Sequence, residues 1–236
     1  MSTKHTVGLE LIRLLEAHGV DTVFGIPGVH TAELYRGLAG SSIRHVTPRH
    51  ELDAGFMADG YARASGKPGV CLLITGPGLT NAITAMGQAR ADSIPMLVIS
   101  GINALDTHGH YRGHLHELPD QSAMIRTIAL SSERLERPQD LPAVVSRALA
   151  AMRAGRPGPV HIEIPTDLME AVLPLGALPH QPLPPPEPSV QAIEAAVALC
   201  RTARSPLILA GGGAVRADEA IRELAELLDA PVVTTT

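Results

Sequence analysis

Apolar positions in the first half of the chain alternate between a helical and an extended period. Val7, Leu11, Leu14 and Leu15 recur on one face between Thr6 and His18, and the run stops at Gly19, which predicts a helix closed by a left-handed cap. Thr22 to Phe24 reads as a short strand, and Gly25-Ile26-Pro27-Gly28 turns the chain into a second helix from about His30 to Leu38. Ile43 to Val46 reads as another strand. Pro48 ends it, because proline has no N–H for a ladder and fixes its own φ. A helix is predicted from His50 onward, with Ala54, Met57, Ala58, Tyr61 and Ala62 on its apolar face. After the turn Gly66-Lys67-Pro68-Gly69, Val70 to Ile74 is apolar at every position, as in a strand covered on both faces. Thr75-Gly76-Pro77-Gly78, a helix from about Leu79 to Ala91 and the strand Met96 to Ile99 follow.

This alternation predicts an α/β fold: a parallel sheet with helices on both faces and right-handed crossovers. Ligands of such sheets gather at the carboxyl ends of the strands, and the three turns at Gly25, Pro48 and Gly76 would open on that one edge. Gly101 to Gln121 is polar and too long for an ordinary connection, which marks a functional loop. A strand-like run near Ile128 to Leu130, a helix from about Leu141 to Ala154 and a strand from Val160 to Ile164 complete a first domain over residues 1–173. Seven prolines between Pro174 and Pro188 predict a semi-rigid linker over 174–188. A second helix–strand series occupies 189–236: Val190 to Cys200, Pro206 to Ala210, Asp218 to Leu228 and Pro231 to Thr235. Two strands and two helices make too little core to stand alone, so the chain is expected to be truncated within a partial second α/β domain.

Hydrophobic residues make up 45% of the chain but aromatic ones only 2%, so the core must be aliphatic. The net charge of −5 is spread without a block of one sign, which disfavours nucleic acid as a partner. Cys71 and Cys200 lie in separate apolar elements and read as small buried hydrophobes, so a reducing cytoplasm is expected. No stretch approaches the roughly 20 apolar residues of a membrane span, and no membrane partner is expected.

The chemistry centres on Glu51, an acid in the first turn of a predicted helix, where the helix dipole favours an anion. Read alone, it is either a dipole-complementing residue or a functional acid. Around it stand Gly25-Ile26-Pro27-Gly28, Arg49-His50-Glu51, Gly60-Tyr61-Ala62-Arg63, Thr75-Gly76-Pro77-Gly78 with Thr80-Asn81, then Pro157-Gly158-Pro159-Val160 and Ile164-Pro165. In that order they make the chain resemble the thiamine diphosphate (ThDP) enzymes of the acetolactate synthase, pyruvate oxidase and 2-oxoacid decarboxylase group. Residues from about 4 to 170 resemble the pyrimidine-binding domain and those from about 189 onward the opening of the middle domain.

The resemblance implies a role for each motif. Glu51 matches the acid that hydrogen-bonds the cofactor's aminopyrimidine and favours the imino form, which takes the thiazolium proton. Such an acid must hold a proton near neutral pH, so it needs partial burial in apolar surroundings, which Met57 and nearby strands could supply. Gly25, Pro27, Thr75, Gly76, Pro77 and Asn81 resemble the wall of the pyrimidine pocket. His30 resembles a position from which some members present a histidine to a small 2-oxoacid substrate, and His116 is a second such candidate. His116-Glu117 falls near where acetolactate synthases usually have Phe-Gln. The segment Gly113 to Gln121 looks more like a subgroup associated with 5-guanidino-2-oxopentanoate decarboxylation, with two acids, Glu117 and Asp120, that suit a guanidinium tail. The family pattern further implies Mg2+ and the diphosphate held by a C-terminal domain outside this chain, FAD in some relatives, and a homo-oligomer of at least two subunits.

Two other patterns lead elsewhere. His108, His110, His114 and His116 match no common zinc spacing, and no metal site is expected in this chain. Gly211-Gly212-Gly213 would need a glycine at Arg216 to make a dinucleotide fingerprint and reads as a strand-to-helix turn. The rival to an enzyme is a binding or regulatory module that has lost catalysis, against which the intact Glu51 argues.

Overall fold

The computed structural model describes residues 5–107, 109–173 and 187–235. The chain divides into two compact units, Met1–Pro185 and Pro186–Thr236. In the first, α1 (Val7–Ala17) starts at Thr6, whose Oγ1 accepts from the Leu9 N–H at 3.5 Å, and closes at Gly19 with φ +81°. There follow β1 (Thr22–Gly25), α2 (Ala32–Leu38), β2 (Arg44–Val46), α3 (Glu51–Ser65), β3 (Gly69–Leu73), α4 (Pro77–Asp92) and β4 (Met96–Ile102). The unit is completed by α5 (Gln121–Arg126), β5 (Ser131–Arg134), α6 (Leu141–Ala151), β6 (Pro159–Pro165) and the short α7 (Thr166–Met169).

The six strands pair in parallel in the order β2-β1-β3-β4-β6-β5, so the α/β expectation holds. Successive strand side chains point to opposite faces, and each face is covered by helices. Val70, Leu72, Leu97, Ile99, Val160 and Ile162 pack against α1, α2 and α6. Cys71, Leu73, Met96 and Val98 pack against α3, α4 and Ile125 of α5. From β1 the chain runs outward to β2, then returns to lay β3 on the other side of β1. The crevice between the carboxyl ends of β1 and β3 is therefore where the strand order reverses, the place where sheets of this kind take ligands.

Two readings need correction. The strand expected near Ile128 to Leu130 lies one step later, at β5, and is preceded by α5. Ile128 to Leu130 is apolar because it packs beneath the sheet edge, with Ala129 7% exposed, whereas β5 is a half-exposed edge strand of sequence Ser-Ser-Glu-Arg and carries no apolar signal. Met57 is 41% exposed rather than on the packed face of α3. That face is Ala54, Gly55, Ala58 and Ala62, and a Cβ on Gly55 would lie 2.6 Å from that of Ala85 on α4. The two helices close through small side chains and leave no room there for a methionine.

Inside β6 the buried His161 bridges two hydroxyls, with Nε2 2.9 Å from Ser100 Oγ and Nδ1 2.7 Å from Ser132 Oγ. Burial pushes its pKa down to about 3. The folded state thus refuses a proton that the unfolded chain accepts below its ordinary value near 6.5, and stability must fall as pH drops through that window. Each such group contributes a slope of roughly 1.4 kcal/mol per pH unit. His30, lowered chiefly by burial, adds in the same direction. Urea denaturation between about pH 6.5 and 4.5, above the carboxylate range, is expected to show this slope, and His161→Gln is expected to remove about one proton from it.

In the second unit α8 (Val190–Thr202), capped by Ser189 Oγ, leads to β7 (Ile208–Ala210), then α9 (Asp218–Leu228) and β8 (Val232–Thr234), whose strands pair in parallel. Gly212–Ala214 form one 3-10 turn between β7 and α9. The proline-rich stretch 174–186 and His108 lie outside the described residues. Among the described residues no three His, Cys, Asp or Glu side chains converge as for a metal, and no helix is long and apolar enough to cross a membrane.

Candidate active site

Glu51 opens α3 because Pro48 ends the preceding extended segment and His50 takes the cap, its Nδ1 accepting from the Leu52 N–H at 3.1 Å. The carboxylate is half-buried and points toward the start of α4. There Asn81 Nδ2 donates to Glu51 Oε2 at 2.9 Å, while a Cβ on Gly78 would lie 3.6 Å from Glu51 Oε1. One oxygen is thereby held by an amide. The other lies along a glycine and accepts no hydrogen bond from the described residues.

The start of α4 is built by Gly76 and Pro77. Pro77 takes the first helical position, where its missing N–H costs nothing. Gly76 adopts φ +62° and ψ −111°, and a Cβ there would lie 2.4 Å from the carbonyl oxygen of His116. Ile74 is the apolar neighbour of this corner. Its side chain occupies the space that a Cβ on Gly78 or on Gly28 would need, 2.5 Å and 2.4 Å away. It supplies the apolar surroundings that Met57, on the solvent side of α3, does not.

At the end of β1, a Cβ on Gly25 would lie 2.0 Å from Leu72 O and 2.7 Å from Tyr35 Oη. Tyr35 O–H donates to Leu72 O at 3.2 Å and stacks edge-on against His45, whose Nε2–H donates to Gly25 O at 2.9 Å. The small size of Gly25 therefore serves the close passage of β1 beside β3. Pro27 is exposed on the following turn.

The two histidine candidates come together, with ring centroids 5.9 Å apart and planes at 83°. Burial, and then the charge of His116, hold the His30 pKa below its usual range. Among the described residues, His30 Nδ1 and Thr75 Oγ1 are buried without a hydrogen-bond partner, an arrangement rare enough to call for a ligand or water. The two residues flank Gly101, where a Cβ would lie 3.0 Å from His30 Cβ and 3.1 Å from Thr75 Oγ1. Glu117 and Asp120 are otherwise engaged: Glu117 Oε2 accepts from the N–H groups of Gly113 and His114, and Asp120 Oδ1 caps α5.

Sequence reasoning missed the buried polar layer beneath the corner. Gln121 is 1% exposed and joins Gly76, Ser100, Gly101 and Glu163, and Arg134 Nε pairs with Glu163 Oε1 at 2.6 Å. The available signal was the pattern Val160-His161-Ile162-Glu163-Ile164, where two ionisable residues alternate within an otherwise apolar strand. A cavity of about 340 Å3 at the opposite, amino-terminal edge, lined by His18, Asp21, Tyr61, Lys67 and Arg153 among others, contains none of these groups.

The Glu51 oxygen without a partner, the two unpartnered polar atoms and the Ile74 side chain are groups of the kind that a flat heteroaromatic ring able to donate and accept hydrogen bonds would contact. The sequence comparisons point the same way. Residues 5–124 match the family described as thiamine pyrophosphate enzyme, N-terminal TPP binding domain, and residues 193–236 match the corresponding central domain. A probable 2-ketoarginine decarboxylase of Pseudomonas aeruginosa is 52% identical over 233 residues, covering 98% of this chain and 42% of that protein. Acetolactate synthase isozyme 1 large subunit of Escherichia coli is 36% identical over 236 residues, with 98% and 42% covered. An acetolactate synthase large subunit of Mycobacterium tuberculosis is 37% identical over 232 residues, with 95% and 37% covered. The chain spans about two fifths of the length of these curated relatives. With its parallel sheet and its match over residues 5–124, the chain belongs to the thiamine pyrophosphate enzymes and contains their N-terminal cofactor-binding domain.

Proposed function

We propose that this chain is the cofactor-activating portion of a ThDP-dependent enzyme that decarboxylates a 2-oxoacid with a guanidino tail. The observation that carries the reading is Glu51, held through one oxygen by Asn81 at the reversal point of the sheet, with the other oxygen left for a ligand. ThDP, when bound, would supply the carbon nucleophile for the carbonyl of the 2-oxoacid. Glu51 holds and shares a proton at the far nitrogen of the pyrimidine ring, and Asn81 fixes the carboxylate for that contact. Thr75 Oγ1 offers a further hydrogen bond to the ring, and Gly25, Pro27, Gly76 and Pro77 set the backbone turns that shape its slot. His30 and His116 face the substrate.

The substrate class is supported by the relative that is 52% identical over nearly all of this chain. With Glu117 and Asp120 engaged in the loop's own hydrogen bonds, recognition of the cationic tail falls to other groups. Mg2+ and the diphosphate are held by protein outside these residues. A homo-oligomer is supported by the outer face of α3, where Phe56 is 42% and Met57 41% exposed. A cytoplasmic setting is supported by Cys71 and Cys200, both of which are free thiols.

The test is turnover by the full-length protein with ThDP and Mg2+. Release of CO2 from 5-guanidino-2-oxopentanoate is expected to exceed that from pyruvate by at least about tenfold in kcat/KM, a difference of roughly 1.4 kcal/mol in transition-state binding. Faster condensation of two pyruvate molecules would instead assign an acetolactate synthase.

A further inference from the structure

Gln121 is the first residue of α5, and its side chain turns back under the sheet edge. Its Oε1 accepts from the Gly76 N–H at 2.8 Å. Its Nε2 lies 3.1 Å from Ser100 Oγ, 3.1 Å from Gly101 O and 3.2 Å from Glu163 Oε2. The amide can sit only one way round, because a backbone N–H must meet the oxygen, while a carbonyl and a carboxylate must meet the nitrogen. One side chain thus ties the β3–α4 turn to β4 and β6, the next two strands in the sheet. Gly76 sets the direction in which α4 leaves that turn, and Asn81, five residues on, holds Glu51.

We propose that Gln121 is a positioning residue, which fixes the left-handed Gly76 turn and thereby the placement of Asn81 and Glu51 against the cofactor. The proposal rests on the function given above. Gln121→Met keeps the bulk and removes every hydrogen bond. Gln121→Glu keeps the contact to Gly76 but sets a carboxylate against Glu163 and Gly101 O until it takes up a proton, which then donates as the amide did. The ionisable groups around it are Glu163 on β6, Arg134 on β5, His161 on β6 through Ser100, and His116 beside Gly76.

Two readouts on the full-length protein test this: hydrogen exchange of the Gly76 N–H without cofactor, and exchange of the thiazolium proton at saturating ThDP. Gln121→Met is expected to speed the first by at least about tenfold and to slow the second by roughly 10- to 100-fold. In Gln121→Glu the thiazolium rate relative to wild type is expected to recover as pH falls from about 8 to about 6, since a carboxyl beside another carboxylate titrates late. This recovery reads out even if Gln121→Met fails to fold. Faster exchange at Gly76 with an unchanged thiazolium rate would make Gln121 merely structural and overturn the proposal, as would a pH-independent Gln121→Glu ratio. If Glu51→Gln leaves the thiazolium rate unchanged, the proposed function itself fails, and the positioning role with it, whatever Gln121 does.

Discussion

Glu51→Gln in the full-length protein is expected to slow exchange of the thiazolium proton of bound ThDP by about 10²- to 10⁴-fold, the range of a lost general acid–base group. The substitution is nearly isosteric. The glutamine oxygen can still accept from Asn81 Nδ2, so the corner between α3 and α4 keeps its shape. What disappears is the capacity to hold a proton, because an amide neither gains nor gives one near neutral pH. Stability is expected to change by about 1 kcal/mol or less, the worth of an acid at a helix start. Deuterium exchange of the cofactor, with circular dichroism on the same samples, checks both halves. A wild-type exchange rate in a folded Glu51→Gln protein would remove Glu51 from the chemistry.

Gly25→Ala is expected to cost about 3 kcal/mol or more, the upper range for an overpacked interior. The added methyl would sit 2.0 Å from Leu72 O and 2.7 Å from Tyr35 Oη. Neither can withdraw cheaply, since Leu72 is paired with Gly25 across the sheet and its carbonyl accepts the Tyr35 hydroxyl. Separating them breaks the β1–β3 ladder at the crevice where the cofactor is proposed to bind. For a protein of this size the melting temperature is expected to fall by roughly 6–12 °C. Gly87→Ala in α4 is the control, because nothing lies within 4 Å of its Cβ position. It is expected to be neutral or stabilising by up to about 1 kcal/mol. Equal melting temperatures for the two variants would show that Gly25 is not confined as described.

Features that depend on one segment were legible in the sequence. The period of α1, the unbroken apolar run of β3 and the proline before α3 each identify their element without reference to the rest of the chain. The start of α3 at Glu51 was read this way, because Pro48 ends the strand before it, whereas the choice of Glu51 as the candidate acid came from the motifs around it. The parallel sheet was legible from the alternation of elements, but contacts between particular side chains of different segments were not. Met57 occupies an apolar position by period, yet α3 meets α4 through Gly55 and Ala85, a contact that neither helix announces alone. Strand β5 is polar because it lies at the sheet edge, which is a property of strand order and not of its own residues. Gln121 and Glu163 acquire their role only when the ends of β3, β4 and β6 are brought side by side. In the same way, His45 and Tyr35 become supports of Gly25 only once β1, β2 and β3 are in register.

A crystal structure of the full-length protein with ThDP and Mg2+ asks the main question most directly. The predicted result is a pyrimidine ring in the crevice between β1 and β3, with one of its nitrogens about 3 Å from Glu51 Oε1 and Asn81 still on Oε2. A ring seated elsewhere, with the Glu51 carboxylate turned to solvent and no hydrogen bond between them, would contradict it.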